Sequence, residues 1–358
     1  MKIDSCLIIK NEEENIGNLI DKLLKFSDEI HLTDTGSTDN TIKIIEKKQK
    51  KHKNIFLDHF EWCYDFSKAR NFSMKNHKTN SDFYFWCDGD EEPNDKMIET
   101  LLKFKEEKEV PSDVYYIKIN DGYRAALIRA NTDFNWTDPV HEFISFSQSF
   151  TEDYDYFNNG SIFIHYQKNT KEHYKRNLNI FLNLEKQGYK FSVRNRYYYG
   201  RELMFEDYKE LAACQFKKCI TSELNTFQPE FEYTDKINSC IKLCILQDPE
   251  CVEYFLKLLE QGILRRDMFF FLGNYYYTKG NNELAEFYYK SCVVSEYPSP
   301  NLVFEYNDNC VCLSYINLGS IYCEKENYDV AYIYYNKALE IEPENELAKE
   351  AISLLQKN

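Results

Sequence analysis

"FWCDGDEEP", residues 85 to 93, sets four carboxylates (Asp88, Asp90, Glu91 and Glu92) in five consecutive positions behind a run of aromatics. Like charges at that spacing repel and raise one another's pKa unless positive charge sits among them. An acidic surface turn is one reading, and a site for a divalent metal is the other. The residues just before the segment bear on the choice. "SDFYFWCD" is an apolar run of strand length, so the acidic group lies where a buried strand ends. Asp88 and Asp90 stand two apart around Gly89. In an extended turn both side chains point the same way, and the glycine leaves room for close approach. Two carboxylates aimed at one point suit a hard, oxygen-seeking cation such as Mg²⁺ or Mn²⁺.

Upstream, strand and helix patterns alternate. "KIDSCLIIK", "DEIHLTDTG" and "NIFLDHF" read as strands, and "EEENIGNLIDKLLKF", "DNTIKIIEKKQK" and "DFSKARNFSMKNH" as the helices between and after them. Such β-α repetition with short connections predicts a mostly parallel sheet covered by helices on both faces. Ligands of these sheets bind outside the carboxyl ends of the strands, where both "TDTGSTDN" and the acidic segment fall. No GxGxxG follows the first strand and no GxxxxGK[ST] occurs, which argues against a dinucleotide dehydrogenase and a P-loop ATPase. Downstream, "NDKMIETLLKFKEEKE" has the pattern of an amphipathic helix. "DVYYIKIN" and "YRAALIRA" form a hairpin-like pair across Asp121-Gly122, and "GSIFIHYQ" is a last strand.

"CLIIKNEEENI", "DEIHLTDTGSTDNT", "DFSKARNFS", "WCDGDEE" and "WTDPVHE" occur in an order and approximate spacing that resemble the family 2 glycosyltransferases, in particular those with tetratricopeptide repeats behind the catalytic domain. The resemblance covers nearly the whole chain. It implies a GT-A fold, Rossmann-like with a mostly parallel sheet, a nucleoside-diphosphate sugar donor with a uridine diphosphate sugar favoured, a divalent cation, and inversion at the anomeric carbon. Position by position it implies that Asp34 contacts the base, Asp88 lies near the ribose, Asp90 ligates the metal and Arg70 lies near the nucleotide. Asp88 is a second metal ligand in the same reading. His165 is the third, with His141 as its rival. Within "WTDPVHE", Trp136 suits stacking on a sugar face, and Glu142 is preferred over Asp138 as the base. Two departures from the pattern stand out: Gly89 replaces a more usual Ala, and Asp138-Pro139 stand where a Gly often precedes the Val-His-Glu.

Each residue also has a plain structural reading. Asn11 with Glu14 fits a capping box at the start of the first helix, and Ser37, Thr38 and Asp39 fit a cap on the second. Asp65 fits the start of the third helix, Arg70 an exposed helix position, and Trp136 the core. Asp138 precedes a proline, which biases it toward an extended conformation.

Beyond residue 168 the pattern is helical throughout. Gly200, Gly273 and Gly319 are each followed twelve residues later by an alanine (Ala212, Ala285, Ala331) and four after that by an aromatic (Phe216, Tyr289, Tyr335). This is the tetratricopeptide spacing, in which small residues let two antiparallel helices pack closely. A degenerate unit fits around Cys240, Val252 and Leu256, and "ENELAKEAISLLQKN" fits a capping helix. The expected organisation is therefore a transferase domain over 1–167, a linking helix over 168–190 and a repeat domain over 191–358.

The 358 residues carry a net charge of -15, which argues against nucleic-acid binding. No apolar stretch approaches the roughly 20 residues that span a bilayer. Twelve cysteines without a CxxC pair read as reduced thiols, and a cytoplasmic location is expected. The acceptor implied is a protein, peptide or glycan, with the repeats serving a protein partner, self-association or support of the fold. Two other functions stand beside this one: a nucleotidyltransferase, and a non-catalytic repeat scaffold with a degenerate transferase domain.

Overall fold

The computed structural model describes residues 1–75, 80–119, 122–146, 154–157, 159–165, 170–224, 229–295 and 309–356. Met1–Gly188 form one compact unit and Tyr189–Asn358 a second.

In the first unit the chain runs β1 (Ile3–Ile9), α1 (Ile16–Leu23), β2 (Glu29–Asp34), α2 (Thr41–Gln49), β3 (Ile55–His59), α3 (Phe66–Lys75), β4 (Phe83–Trp86), β5 (Glu91–Pro93) and α4 (Asp95–Glu106). It continues through β6 (Val114–Ile119), β7 (Gly122–Arg129), β8 (Phe134–Thr137), β9 (Phe143–Phe146), β10 (Tyr154–Tyr156) and β11 (Phe163–His165) to α5 (Thr170–Lys186). A seven-stranded sheet has the order β10-β6-β7-β4-β1-β2-β3. β1 pairs parallel with β2 and β4, and β2 with β3, as the β-α alternation predicts. β7 joins antiparallel to β4 and β6. The Asp121 side of that hairpin turn lies outside the described residues.

All seven residues of β1 are buried, as a central strand covered on both faces requires. α1 places Ile16, Leu19, Ile20 and Leu23 in one core with Ile30, Leu32, Phe83 and Phe85. Fully burying each such side chain stabilises by about 1.5–3 kcal/mol. On the other sheet face Cys6, Met74, Trp86, Ile128 and Trp136 form a second cluster under α3.

Two sequence expectations do not hold. Asn11 makes no capping box. It adopts a left-handed φ of 54°, its side chain accepts from the Thr38 N–H at 2.8 Å, and α1 starts later, at Ile16. The short polar side chain thus ties the end of β1 to the turn after β2. Asp138 is not extended either, with φ at 70°. The β8–β9 loop reverses between Thr137 and Phe143, and His141, at φ 56°, is left-handed as well.

The second unit contains α6 (Val193–Phe205), α7 (Lys209–Thr221), α8 (Pro229–Ile245), α9 (Cys251–Glu260), α10 (Arg266–Thr278), α11 (Asn282–Val294), α12 (Cys310–Glu324), α13 (Tyr328–Ile341) and α14 (Glu346–Leu355). The repeat spacing has a direct cause in the packing. A Cβ on Gly200, Gly273 or Gly319 would lie 2.5–2.6 Å from the ring of Phe216, Tyr289 or Tyr335 respectively. The aromatic of the second helix occupies the space that a side chain on the first would need.

Candidate active site

Three of the four carboxylates of the opening segment are met by cations from elsewhere in the chain. Glu92 accepts from Lys22 Nζ at 2.7 Å and from Asn18 Nδ2 at 2.5 Å, both on α1. Glu91, only 2% exposed, takes a bidentate pair from Arg124 on β7 at 2.6 and 3.0 Å. Asp88 accepts from Arg70 Nη2 at 2.6 Å, and its other oxygen lies 3.6 Å from Arg124 Nη1. Asp90 follows on the same turn and is partly exposed. The positive charge that the crowding requires thus comes from three cations of three elements distant in sequence.

Arg70 is the hub. It lies inside α3, where Asp65 starts the helix by accepting from the Lys68 N–H at 3.0 Å. Its Nε donates to Glu142 Oε1 at 2.7 Å while Nη2 holds Asp88. The guanidinium lies over the rings of Trp86 and Trp136, at 4.7 and 4.9 Å from their centroids. Burial works against the charged form, but the carboxylates of Asp88 and Glu142 outweigh it and hold the Arg70 pKa above its ordinary value. The "ARN" segment therefore faces inward and is not an exposed helix surface. Asn71 completes the anchoring, exchanging 2.8 and 2.9 Å hydrogen bonds with the backbone of Trp136.

The β8–β9 loop brings Glu142 to this hub, and the Pro139 carbonyl accepts from the Phe66 N–H at 2.8 Å. Trp136 itself is 4% exposed. It packs edge-to-face on Trp86 at 4.6 Å, and its Nε1–H donates to Met74 Sδ at 3.2 Å. Its ring belongs to the core below Arg70 and does not face outward as stacking on a sugar would require.

Asp34 ends β2, and its carboxylate accepts from the Gly36 and Ser37 N–H groups at 3.0 and 3.1 Å, with His59 Nδ1 3.5 Å away. Between the Asp34 and Asp88 ends runs the segment after β1. A Cβ on Gly89 would lie 2.8 Å from Glu12 Cγ, so the glycine lets this buried carboxylate side chain approach the Asp88–Asp90 turn. An alanine at this position does not fit without movement of Glu12. The side chain of His165 lies outside the described residues; its backbone pairs with Glu91 between β11 and β5.

Two guanidinium groups thus face three carboxylates (Asp88, Glu91 and Glu142), leaving one negative charge before Asp90 is counted. Arg124 is not singled out in the sequence, and Glu91 stands there only as one of four crowded carboxylates. Their pairing depends on β7 lying antiparallel to β4, and strand alternation alone does not give that neighbour.

Residues 5–168 match the family described as glycosyl transferase family 2, and residues 267–293 and 312–345 match tetratricopeptide-repeat families. The matches place a family 2 glycosyltransferase domain over residues 5–168, ahead of the tetratricopeptide repeats. Among curated proteins it is similar to a TPR repeat-containing protein of Synechococcus elongatus, 24% identical over 152 residues, which are 40% of this chain. The match spans 35% of that relative's length. Among solved structures it is similar to Staphylococcus aureus TarS 1-349 in complex with UDP-GlcNAc: TM-score 0.39, 14% identity, 96% of this chain and 92% of that one covered. It is also similar to the Mycobacterium tuberculosis glucosyl-3-phosphoglycerate synthase with Mn²⁺ and UDP-glucose: TM-score 0.28, 20% identity, 34% of this chain and 44% of that one covered.

Proposed function

We propose that the protein transfers a sugar, with inversion, from a nucleoside-diphosphate sugar to a protein, peptide or glycan acceptor, in a reaction that depends on a divalent cation. The observation that carries this reading is the Glu142–Arg70–Asp88 chain, in which one guanidinium joins the carboxylate of the Asp88 turn to that of the β8–β9 loop. Asp34 and the Asp88 turn sit at the carboxyl ends of β2 and β4, where ligands of such sheets bind.

The turn fits a hard cation in part. Both oxygens of Asp88 face arginines, which leaves Asp90 as the residue that would hold Mn²⁺ or Mg²⁺, with His165 proposed beside it. A bound cation would supply stabilisation of the charge that develops on the departing diphosphate. The chain's own residues do the rest. Arg70 fixes Glu142 Oε1 and so orients the other oxygen toward the acceptor. Glu142 takes the acceptor proton as the acceptor attacks the anomeric carbon from the face opposite the leaving group. Asp138 is the alternative base. The buried Arg70 guanidinium, compensated by the partly exposed Asp88 and Glu142, argues against the scaffold reading, because burying a charge costs stability that a merely supporting domain has no need to bear.

A thermal-shift panel of nucleotide sugars with and without Mn²⁺ tests the proposal. A ligand that binds only the folded chain raises Tm by mass action. One uridine diphosphate sugar should raise Tm, more so with Mn²⁺. No shift with any nucleotide sugar at millimolar concentration would count against it.

A further inference from the structure

At the opposite, amino-terminal end of the same strands, Asp4, Glu29 and His31 converge so that one ligand atom from each lies within 4.8 Å of the others. Glu29 and His31 are two apart on β2 and so share a face. Asp4 is the register partner of Glu29 on β1, which brings it to the same place. We infer that these three residues form a second divalent-metal site, separate from the Asp90 turn, whose ion joins β1 to β2.

The geometry supports a borderline transition ion such as Zn²⁺. His31 Nε2 lies 3.2 Å from Glu29 Oε2 and 3.9 Å from Asp4 Oδ2. Ligand distances of about 2.0–2.2 Å in a tetrahedron give ligand-to-ligand edges of about 3.4 Å. The two separations from His31 lie on either side of that edge and all three ligand atoms lie within 4.8 Å of one another, so an ion fits once the side chains close around it. One imidazole nitrogen and two carboxylate oxygens form a donor set of the kind zinc accepts, with a water left to complete it.

Two of the ligands are held in place by other contacts. Asp4 Oδ1 accepts from the Glu29 N–H at 3.1 Å, which turns Oδ2 toward His31. The His31 ring stacks on Phe56 of β3, with centroids 5.0 Å apart and 12° between planes. The Asp4 and His31 side chains are each only 3% exposed, whereas Glu29 is 43% exposed and supplies the route by which an ion enters. The site is remote from the chemistry: five residues of strand, roughly 16 Å, separate Glu29 from Asp34. Its role is to stabilise the strand pair.

The test uses the full chain, stripped with a chelator and titrated with Zn²⁺, comparing the native protein with His31→Gln, Glu29→Gln and Asp90→Asn. Twelve cysteines add the same background to every variant, so differences are read. The native protein should bind one equivalent more than His31→Gln, and Asp90→Asn one equivalent more than the Asp90→Asn/His31→Gln double variant. Glu29→Gln, which keeps two ligands, should bind that equivalent at least tenfold more weakly. Zn²⁺ should raise Tm more in the native chain than in either β2 variant. Equal stoichiometry in the native protein and His31→Gln, or a Glu29→Gln affinity within tenfold of native, overturns the inference and leaves the triad as an ion-pair cluster. A double variant that binds as much Zn²⁺ as Asp90→Asn alone also overturns it, placing the ion at the other turn. If His31→Gln does not fold, the half-exposed Glu29 position decides alone.

Discussion

Arg70 Nε donates to Glu142 Oε1 at 2.7 Å, so α3 and the β8–β9 loop are joined by a single guanidinium that also holds Asp88. Removing one partner of a buried ion pair leaves the other charge uncompensated, at about 3–5 kcal/mol. Arg70→Gln is expected to lower stability by about 3 kcal/mol in urea melts. Arg70→Lys, which keeps the charge but not the planar fork, should recover part of the stability and little of the transfer rate.

The base assignment separates from donor binding. Glu142→Gln keeps the size and loses the basicity, so donor affinity should stay within a few fold while transfer falls by about 10² to 10⁴. A near-native rate in Glu142→Gln, with Asp138→Asn inactive yet still binding donor, would move the assignment to Asp138.

In the repeats, Gly273→Ala places a Cβ 2.5 Å from the Tyr289 ring and should cost about 1–3 kcal/mol by overpacking. Tyr289→Leu removes the ring, along with the hydrogen bond its hydroxyl donates to Asn274. The double variant should therefore lose less than the sum of the two single variants. Strict additivity in denaturation midpoints would mean that the close approach is not what fixes the glycine.

Acid should weaken the helix pairing around Glu286. Burial alone would raise its pKa, but hydrogen bonds from Lys290, Lys325 and Tyr322 lower it from 4.5 to about 2. A depressed carboxylate stabilises fully above its unfolded pKa, and that contribution disappears as pH falls from about 4.5 toward 2. Between pH 6 and pH 3 the native protein should lose more Tm than Glu286→Gln, and equal losses would remove this residue from the acid response.

Much of this was legible in the sequence because it is local. The two-fold and 3.6-fold periods gave the strands and helices of the β-α series, and the Gly-to-aromatic spacing gave the repeat hairpins. Asp34 and Asp88 were placed by their position at strand ends. The parts not legible depend on contacts across long separations. The acidic run reads as one cluster, yet Lys22 draws Glu92 toward α1 while Arg124 draws Glu91 toward β7. The Asn11 and Glu14 spacing fits a capping box, but the turn after β2 offers Asn11 the Thr38 N–H instead. A tryptophan before an acidic loop suits a sugar face, yet Trp86 and Met74 enclose Trp136.

The most direct test is release of nucleoside diphosphate from a nucleotide sugar in the presence of Mn²⁺, with an acceptor peptide or glycan, by the native protein and by Asp90→Asn. The account predicts release by the native protein that stops on chelation and returns with Mn²⁺, and release lowered at least a hundredfold in a folded Asp90→Asn, as expected when an amide replaces a hard anionic ligand. Release that is indifferent to chelator, or an Asp90→Asn variant as active as the native protein, would contradict it.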